Sequence, residues 1–232
     1  MLLKQQMEEI FLNYKFLSKT LLFRGNTEEE IKAMLSCLGA EQKHYIKGST
    51  VYHAGEPVDA IGLVLSGRVQ IENDDHWGNK SLLDSVGEGM IFAETYACIP
   101  GEPMQVSVTA SENSEILFLN AARVLQTCPG ACEYHGRLIR NLLTISAQKN
   151  LILSRRIFHT SPKSIRGRLL SYLSFQASSQ GSSEFTIPFN RQQLADYLSV
   201  DRSALSNELG KMQKDGLLKV NKNHFIIRDN QP

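Results

Sequence analysis

The chain has 232 residues, of which 42% are hydrophobic and 21% charged, and its formal net charge at pH 7 is +1. A chain of this length can form two modest domains, each with its own hydrophobic core. No apolar run approaches the ~20 residues that span a bilayer, and the first residues mix charged and apolar side chains, unlike a signal peptide. These features favour a cytoplasmic protein without a membrane partner.

No motif in the sequence indicates catalysis or a metal site. The six histidines form no HxH or HExxH pair, and the chain has neither a GxSxG elbow nor a phosphate-binding P-loop. The four cysteines are too few and too irregularly spaced for a disulfide framework, so reduced thiols are expected. Cys128 and Cys132 could form a redox pair, but their spacing matches neither a CxxC nor a zinc ribbon. We therefore predict no catalytic residue and no metal ligand.

Short β-rich runs separated by glycine-containing turns occupy residues 46–119. Turn signals at such regular spacing predict an all-β sandwich or barrel. Residues 61–65 form a nearly continuous apolar run, whereas residues 68–72 alternate, as expected of neighbouring strands that differ in burial. The first predicted domain, residues 1–132, is therefore a jelly-roll with N-terminal helices and an interior that is filled or ligand-sized.

A long uninterrupted helix is predicted next, over residues 133–158. Apolar residues line two of its faces, and such a helix needs two partners. One partner would be the β-domain and the other a second copy of the chain, with a helix packed wholly within one domain as the alternative. A heptad-like seam that includes one lysine gives the candidate homodimer interface: Leu138, Leu142, Ile145, Lys149 and Ile152. Ser161-Pro162 ends the helix, which predicts a hinge at residues 158–163.

The pattern of residues 191–212 predicts two short helices joined by a tight turn. Each helix has an apolar stripe at three-and-four spacing, and Asn190 and Asp201 stand where a side chain can cap each helix start. Ala195 lies where the helices would cross, and its small side chain permits a close approach. A helix-turn-helix fits this pattern, although a plain helical hairpin is the alternative for the segment alone.

The residues that follow these two helices predict a β-hairpin. Asp215-Gly216 can end the second helix, and β-prone runs occupy residues 217–220 and 224–227. Upstream, residues 185–189 alternate like a short strand near a sheet edge. Together these elements predict a winged helix-turn-helix over residues 159–232, and the overall fold class is α+β.

Charge is distributed unevenly along the chain. Residues 160–232 hold ten Lys/Arg and six Asp/Glu, a net +4, whereas the other residues carry −3. A basic module gains affinity for duplex DNA because its cations release counterions from the phosphates. We therefore predict double-stranded DNA as the partner, and the modest charge favours binding by a homodimer.

These elements in this order resemble the Crp/Fnr (cAMP receptor protein and fumarate-nitrate regulator) family of bacterial transcription factors. The resemblance covers almost the whole chain and rests on four blocks taken together. The blocks are Lys47-Gly48 with Gly55-Glu56-Pro57, Val64-Leu65-Ser66-Gly67-Arg68-Val69, Gly87-Glu88-Gly89 with Phe92-Ala93-Glu94, and Asp201-Arg202-Ser203-Ala204-Leu205-Ser206 with Asp215-Gly216-Leu217-Leu218. The resemblance implies a cyclic-nucleotide-binding-like β-roll, a dimerisation helix and a DNA-binding domain, in a regulator rather than an enzyme.

The resemblance also implies an effector pocket between the β-roll and the long helix. Glu94 matches the family's ribose-binding glutamate, but Ala93 replaces a glycine and Met104-Gln105 replaces the Arg-Ser pair that holds the cyclic phosphate. A thioether cannot replace the charge-assisted contact of a guanidinium. We therefore predict an unidentified small-molecule effector other than cAMP, or none. The candidate pocket residues are Gly89, Phe92, Ala93, Glu94, Thr95, Met104, Gln105 and Val106.

Two other sensing chemistries of the family are disfavoured. Its iron–sulfur sensors carry a cysteine cluster near the N-terminus, whereas the first cysteine here is Cys37. Haem sensing needs axial ligands, and His76 in a predicted loop is a conceivable one, but a loop histidine is usually solvated. No cofactor is therefore predicted, and a redox- or haem-responsive regulator stays as an alternative.

By the same resemblance, the exposed start of the second short helix reads base pairs in the major groove. The base-reading candidates are Arg202, Ser203, Ser206 and Asn207. Ser203 and Asn207 depart from the family's frequent glutamate and arginine, so the half-site of the expected palindromic operator should differ from the best-known ones. The candidates for phosphate contacts are Arg191, Gln192, Lys211 and Lys222, with a solvated surface side chain as the alternative for each.

A serine-rich stretch at residues 177–183 corresponds to a surface that family activators offer to RNA polymerase, although a flexible linker explains its composition equally well. Two other classes of protein stay open. One is a cupin-type β-roll enzyme, for which the histidine spacing supplies no metal triad. The other is a regulatory module that acts through protein partners and uses the helix-turn-helix structurally.

Overall fold

The structure, a computed structural model, describes residues 12–74, 80–126 and 133–228. The chain forms two compact units, Met1–Ala147 and Gln148–Pro232, which we call the N-terminal unit and the C-terminal unit. The division falls inside the long helix α5 (Glu133–Thr160), so each unit contains part of that helix.

Two four-stranded antiparallel sheets form the body of the N-terminal unit. Their strands are β1 (Glu41–Tyr45), β2 (Thr50–Tyr52), β3 (Ala60–Ser66), β4 (Arg68–Asp74), β5 (Lys80–Gly87), β6 (Ile91–Phe92), β7 (Ser107–Ala110) and β8 (Ser114–Asn120). One sheet has the strand order β1-β8-β3-β6 and the other the order β2-β7-β4-β5. This arrangement confirms the predicted β-roll.

Strands β3 and β4 differ in burial as the sequence predicts. β3 lies between β8 and β6 and buries four consecutive residues, 61–64. β4 buries Val69 but exposes Arg68. Gly62 in β3 lies so close to Phe92 that a Cβ there would overlap the phenyl ring. Glycine at this position therefore lets an aromatic ring fill the interior of the roll.

In its described residues, the N-terminal unit also contains four short helices and the first part of α5. The short helices are α1 (Tyr14–Leu17), α2 (Glu28–Cys37), α3 (Glu94–Ala97) and α4 (Ala121–Leu125). A capping box formed by Thr27 and Glu30 starts α2. Arg137 of α5 forms an ion pair with Glu30 and donates a hydrogen bond to Asn26 Oδ1 at 3.0 Å. These contacts hold the start of α5 against the preceding helices.

The structure contradicts part of the predicted dimer interface. Leu138, Leu142 and Ile145 are at most 8% exposed and belong to the core of the N-terminal unit itself. Side chains buried in this way have no surface for a second chain, so the assignment of these three to the interface is wrong, and the alternative of packing within one domain holds for them. Ile152 is 60% exposed and Lys149 half-buried, and for these two the interface stays a prediction.

The described part of the C-terminal unit contains three helices and a small sheet in addition to the end of α5. Its elements are α6 (Ile165–Gln180), β9 (Glu184–Thr186), α7 (Arg191–Leu198), α8 (Arg202–Lys214), β10 (Leu218–Asn221) and β11 (His224–Ile227). The strands pair in the order β10-β11-β9. Asn190 and Asp201 accept hydrogen bonds from the N–H groups of Gln193 (3.0 Å) and Ala204 (2.8 Å). The predicted caps, hairpin and winged helix-turn-helix are therefore confirmed.

The serine-rich stretch is helical over most of its length, so the interpretation as a flexible linker does not hold for residues 177–180. α6 continues to Gln180 and ends at Gly181, which has a φ of 63°. Glycine adopts this left-handed conformation without steric cost, so it closes the helix there rather than at the serines that precede it. Only residues 181–183 separate α6 from β9.

The junction between α5 and α6 has hydrogen bonds that the sequence did not predict. α5 ends at Thr160, two residues beyond the predicted end and two before Pro162, and Arg168 donates hydrogen bonds to the carbonyls of Pro162 (2.9 Å), Leu198 (3.0 Å) and Ser199 (2.9 Å). These bonds tie the junction to the end of α7, and the chain divides into its two units earlier, within α5. The hinge at residues 158–163 stays a prediction.

Candidate nucleic-acid interface and effector site

The turn between α7 and α8 fixes the geometry of the two helices. Ser199 adopts a left-handed conformation, with φ 54° and ψ 52°, where glycine is more usual. The N–H of Val200 donates to the carbonyl of Ala195 at 3.0 Å, and Arg168 donates to the carbonyl of Leu198. Ala195 has no exposed surface, as expected where two helices cross closely. The segment is therefore a helix-turn-helix inside a packed domain rather than an isolated hairpin.

Helix α8 has one buried and one exposed face. Its apolar residues pack in the core of the C-terminal unit. All four base-reading candidates are exposed. Ser206 Oγ already donates to the carbonyl of Arg202 at 2.9 Å. Within the described residues, the side chains of Ser203 and Asn207 have no hydrogen-bond partner, so the Asn207 amide can offer a donor and an acceptor to an adenine edge.

Arg166 of α6 braces the side of α8 that points away from this exposed face. Its guanidinium binds the carboxylate of Glu208 and, at 2.8 Å, that of Asp215. The hydrogen bonds that Arg166 donates to both carboxylates raise its pKa above the usual value. Because the two acids lie in the middle and just past the end of α8, the contacts set the orientation of the helix relative to α6. Sequence reasoning missed this brace, and its only signal was an acidic pair seven residues apart.

A recess of about 650 Å³ lies between the start of α7, the start of α8 and the turn of the β10–β11 hairpin, which is the wing. It gathers three of the four phosphate-contact candidates with one base-reading candidate: Arg191, Gln192, Lys222 and Arg202. Arg191 Nη2 donates to the Lys222 carbonyl at 3.3 Å, and burial lowers the pKa of Arg191. Cations beside the N-terminus of a helix form a suitable cradle for a DNA phosphate.

The wing turn presents Lys222 in an unusual backbone conformation. Its φ is 54°, and the turn is held by Asn223, whose amide donates to the Ile187 carbonyl at 3.0 Å. The Ile187 N–H donates in return to the Asn223 carbonyl at 3.0 Å. Lys222 therefore stands exposed on a turn that is fixed to the rest of the sheet.

Lys211 lies apart from the recess, farther along α8. Its Nζ is 3.9 Å from a carboxylate oxygen of Glu208, and its side chain is exposed. The C-terminal unit as a whole holds thirteen Lys/Arg and six Asp/Glu, a net +7, whereas the N-terminal unit carries −6. The difference in net charge is thus larger when the chain is divided at the observed boundary, after Ala147, than when it is divided at residue 160.

The last turn of α5 is joined to α7 through a buried histidine. His159 is 1% exposed, and its Nδ1 lies 2.9 Å from the hydroxyl oxygen of Tyr197. Rings of Tyr172 and Phe175 pack around the imidazole with centroids within 5.4 Å. Burial, together with the nearby charge of Arg155, lowers the pKa of His159. The end of α5 is therefore built into the DNA-binding unit, a connection that a lone histidine in the sequence did not reveal.

The candidate effector residues are mostly enclosed by the β-roll rather than arranged around an open site. Phe92, Ala93, Glu94 and Met104 are buried, Gly89 and Val106 are half-buried, and Thr95 and Gln105 are exposed. Met104, which stands where the family has arginine, packs in the apolar core of the roll, and Gln105 points out of it. Ala93 has a φ of 61°, a left-handed conformation that explains why the family uses glycine there.

Aromatic side chains occupy the interior of the roll beside these residues. The rings of Tyr52, Phe92 and Phe118 pack edge to face, with centroids 5.7–6.4 Å apart. The hydroxyl of Tyr52 donates to the Ala60 carbonyl at 2.9 Å, and burial raises its pKa. Lys43 Nζ lies over the Phe118 ring, 5.4 Å from its centroid, but the buried residues Phe92 and Met104 supply no cation for a phosphodiester.

Several predictions concern residues 75–79 and 127–132, which lie outside the described part of the chain. They concern His76 as a haem ligand and Cys128 with Cys132 as a redox pair. Among the described residues, no group of three His, Cys, Asp or Glu side chains could hold a metal ion. No helix of the described segments is long and apolar enough to cross a membrane.

The geometry defines a class of protein: a DNA-binding winged helix-turn-helix joined through a long helix to a cyclic-nucleotide-binding-like β-roll. The profile of the cyclic nucleotide-binding domain matches residues 42–129, and that of the Crp-like helix-turn-helix domain matches residues 167–231. The chain therefore belongs to the Crp/Fnr family of transcription regulators, which confirms the resemblance and the prediction that the protein is not an enzyme.

Individual relatives are similar over nearly their whole length. The chain is 22% identical over 94% of its residues to the CRP-like cAMP-activated global transcriptional regulator of Mycobacterium tuberculosis, covering 96% of that protein. It is 24% identical over 90% of its residues to the cyclic AMP receptor protein of Thermus thermophilus, covering 92%. The crystal structure of the Thermus thermophilus catabolite activator protein has the same fold, with a TM-score of 0.50 at 21% identity over 90% of this chain and 94% of that one. Family members respond to different effectors, so membership does not identify a cofactor.

Proposed function

We propose that the protein is a cytoplasmic, homodimeric, sequence-specific DNA-binding regulator whose effector is not cAMP. We infer sequence-specific DNA binding from the exposed face of α8. Ser203 and Asn207 present side chains without a hydrogen-bond partner in the described structure, on a helix that Arg166 braces from behind. Polar groups that are oriented but unused in the fold suit direct readout of base edges.

Phosphate contacts would position this face on the duplex. We assign them to Arg191, Gln192 and Lys222 around the recess and to Lys211 farther along α8, with Arg202 at the boundary between phosphate and base. The net charge of +7 on the C-terminal unit supports this assignment because counterion release grows with the number of neutralised phosphates.

Dimerisation would occur along α5, at positions other than most of those first predicted. Leu143, Leu153 and Ile157 are each more than 60% exposed, and Ile152 is 60% exposed. Apolar side chains in such number on one exposed helix favour burial against a second copy. A two-fold dimer would then place two α8 helices on half-sites of a palindromic operator. The end of α6 stays our proposed contact for RNA polymerase, on the resemblance alone.

The effector proposal rests on the contents of the β-roll. Met104 buries a thioether in the core where a phosphate-binding arginine would be needed, and Phe92 and Tyr52 fill the adjacent interior. A phosphodiester buried against Met104 and Phe92 would lose its hydration without gaining the guanidinium that the family pattern provides there. We therefore propose an effector that is less charged than a cyclic nucleotide.

Selection of bound duplexes from a random DNA pool, with and without cell extract, tests this function. We expect enrichment of a palindrome whose half-sites are about one helical turn apart, with affinity that falls steeply as salt rises. Addition of cAMP to the purified protein should leave the enriched sequences and their affinity unchanged. Failure to enrich any sequence together with salt-insensitive binding would contradict the proposal and favour a module that acts through protein partners.

A further inference from the structure

Helix α8 contains a glycine in its interior, Gly210, that its own stability does not favour. Glycine is the least favourable residue in a helix interior after proline, because it loses the most backbone entropy and leaves the backbone exposed. α8 runs from Arg202 to Lys214, so Gly210 is well inside both ends. Because Gly210 weakens α8, its presence there requires an explanation.

The described structure supplies no reason within the chain. The φ of Gly210 is not positive, and a Cβ placed on it would meet no heavy atom within 4 Å. Gly167 in α6 shows the contrast, because a Cβ there would lie 2.9 Å from Pro162 Cβ and 3.1 Å from Ser164 Oγ. Packing explains Gly167, whereas neither packing nor backbone conformation explains Gly210.

The position of Gly210 on the helix points to a contact outside the chain. At 100° per residue, Gly210 lies on the same face as Ser203, Ser206 and Asn207, one turn beyond the last two. The buried residues Leu205 and Leu209 lie on the other side of the helix. The open space next to Gly210 is therefore on the side that would face DNA.

We propose that Gly210 is the point at which α8 comes closest to the sugar–phosphate backbone, and that the missing side chain lets the helix enter the major groove. This inference rests on the proposed DNA-binding function. A helix with its side chains is about 10–12 Å across and the major groove is about 12 Å wide, so the fit leaves little room. Where the helix surface ends at Cα rather than at Cβ, the helix can approach the DNA more closely by one C–C bond length, ~1.5 Å.

A steric role at the backbone differs from base reading in a measurable way. The wall of the groove is the same for every sequence, so a side chain at position 210 should weaken binding to all duplexes alike. Gly210→Ala should also stabilise the free protein, because alanine is the best helix former. Higher stability together with lower affinity is therefore the signature of this proposal.

The experiment compares wild type, Gly210→Ala, Gly210→Leu and Gly136→Ala in the full chain. Gly136 is the fourth residue of α5, and a Cβ there would have only Arg140 Nη1 nearby, at 4.0 Å, so it is a second helical glycine with room for a Cβ that does not lie on α8. We expect both alanine variants to unfold at higher temperature. We expect only the variants at position 210 to bind more weakly, by about 10- to 100-fold for alanine and more for leucine, on the selected duplex and on a mixed-sequence duplex.

The possible outcomes separate this inference from the function on which it rests. Wild type that binds no duplex would overturn the proposed function, and the inference would fall with it. Wild type that binds while Gly210→Ala binds equally well would overturn the inference alone. A lower unfolding temperature of Gly210→Ala would also overturn it, because glycine would then serve the fold itself.

Discussion

The two units of this protein place their candidate functional residues in opposite ways. In the C-terminal unit, Asn207 lies on a helix capped by Asp201, and Lys222 lies on a turn fixed by the hydrogen bond of Asn223. Both side chains are exposed and can contact a ligand. In the N-terminal unit, half of the candidate effector residues are buried, and Met104 and Phe92 belong to the apolar core. A recognition surface and a sensory interior therefore place different demands on a fold, and the first is easier to recognise than the second.

The largest effect should come from a test of whether the two cores are independent. Phe92→Ala removes a fully buried ring from the roll, and we expect the free energy of unfolding of the N-terminal unit to fall by about 3–5 kcal/mol. The C-terminal unit should keep its stability because its core is separate. Hydrogen exchange followed by mass spectrometry resolves the two units, and Phe225→Ala should give the reverse pattern. If either variant lost protection from hydrogen exchange equally in both units, the two cores would not be independent.

The next largest effect should separate base reading from phosphate binding. Asn207→Ala should reduce discrimination between the selected operator and a mismatched one by about 1–3 kcal/mol, because the bidentate amide is lost. Lys222→Ala should weaken all duplexes alike and lower the salt slope by about 1. Binding isotherms over a range of salt concentrations measure both quantities. If Asn207→Ala instead weakened every duplex equally, its assignment as a base-reading residue would be wrong.

A smaller effect is expected at the strained residue of the roll. Ala93→Gly relieves a left-handed conformation, which costs an L-residue roughly 1–2 kcal/mol, but it adds entropy to the unfolded chain. We therefore expect the N-terminal unit to become more stable by up to about 1 kcal/mol in urea unfolding. Calorimetric titration with cAMP should still show no binding, because Met104 remains. Binding of cAMP by this variant would show that position 93, rather than 104, excludes the nucleotide.

The smallest effect concerns pH and the buried histidine at the end of α5. Burial lowers the pKa of His159 in the folded protein, so the unfolded chain binds a proton more readily. The stability that this group permits is complete above the unfolded pKa of about 6.5 and is lost as pH falls from there towards the folded value. Replacement by phenylalanine should make the unfolding of the C-terminal unit less dependent on pH between about 7 and 5. An unchanged pH dependence in His159→Phe would show that other groups control it.

Much of the architecture was predictable because its signals are local. Asn190 and Asp201 mark helix starts by the bonds their side chains make to nearby N–H groups, and both caps are present. Glycine-containing turns likewise marked the strands of the roll. Apolar periodicity showed that α5 has two apolar faces. It could not show which of the two packs against the chain's own core. Leu138 was therefore assigned to the dimer interface, although it lies in the core of the N-terminal unit.

The sequence by itself determined the class of this protein, the order of its domains and the departures at Ala93 and Met104 from the family pattern. Capping, turn formation and charge depend on residue type over short distances, so they can be recognised without coordinates. Only the tertiary structure decided that α5 is built into both units, that Arg166 and His159 connect the DNA-binding helices to their neighbours, and that Gly210 faces open space. Those features depend on contacts between residues far apart in the chain, whose free energy is set by burial and geometry that no local pattern contains.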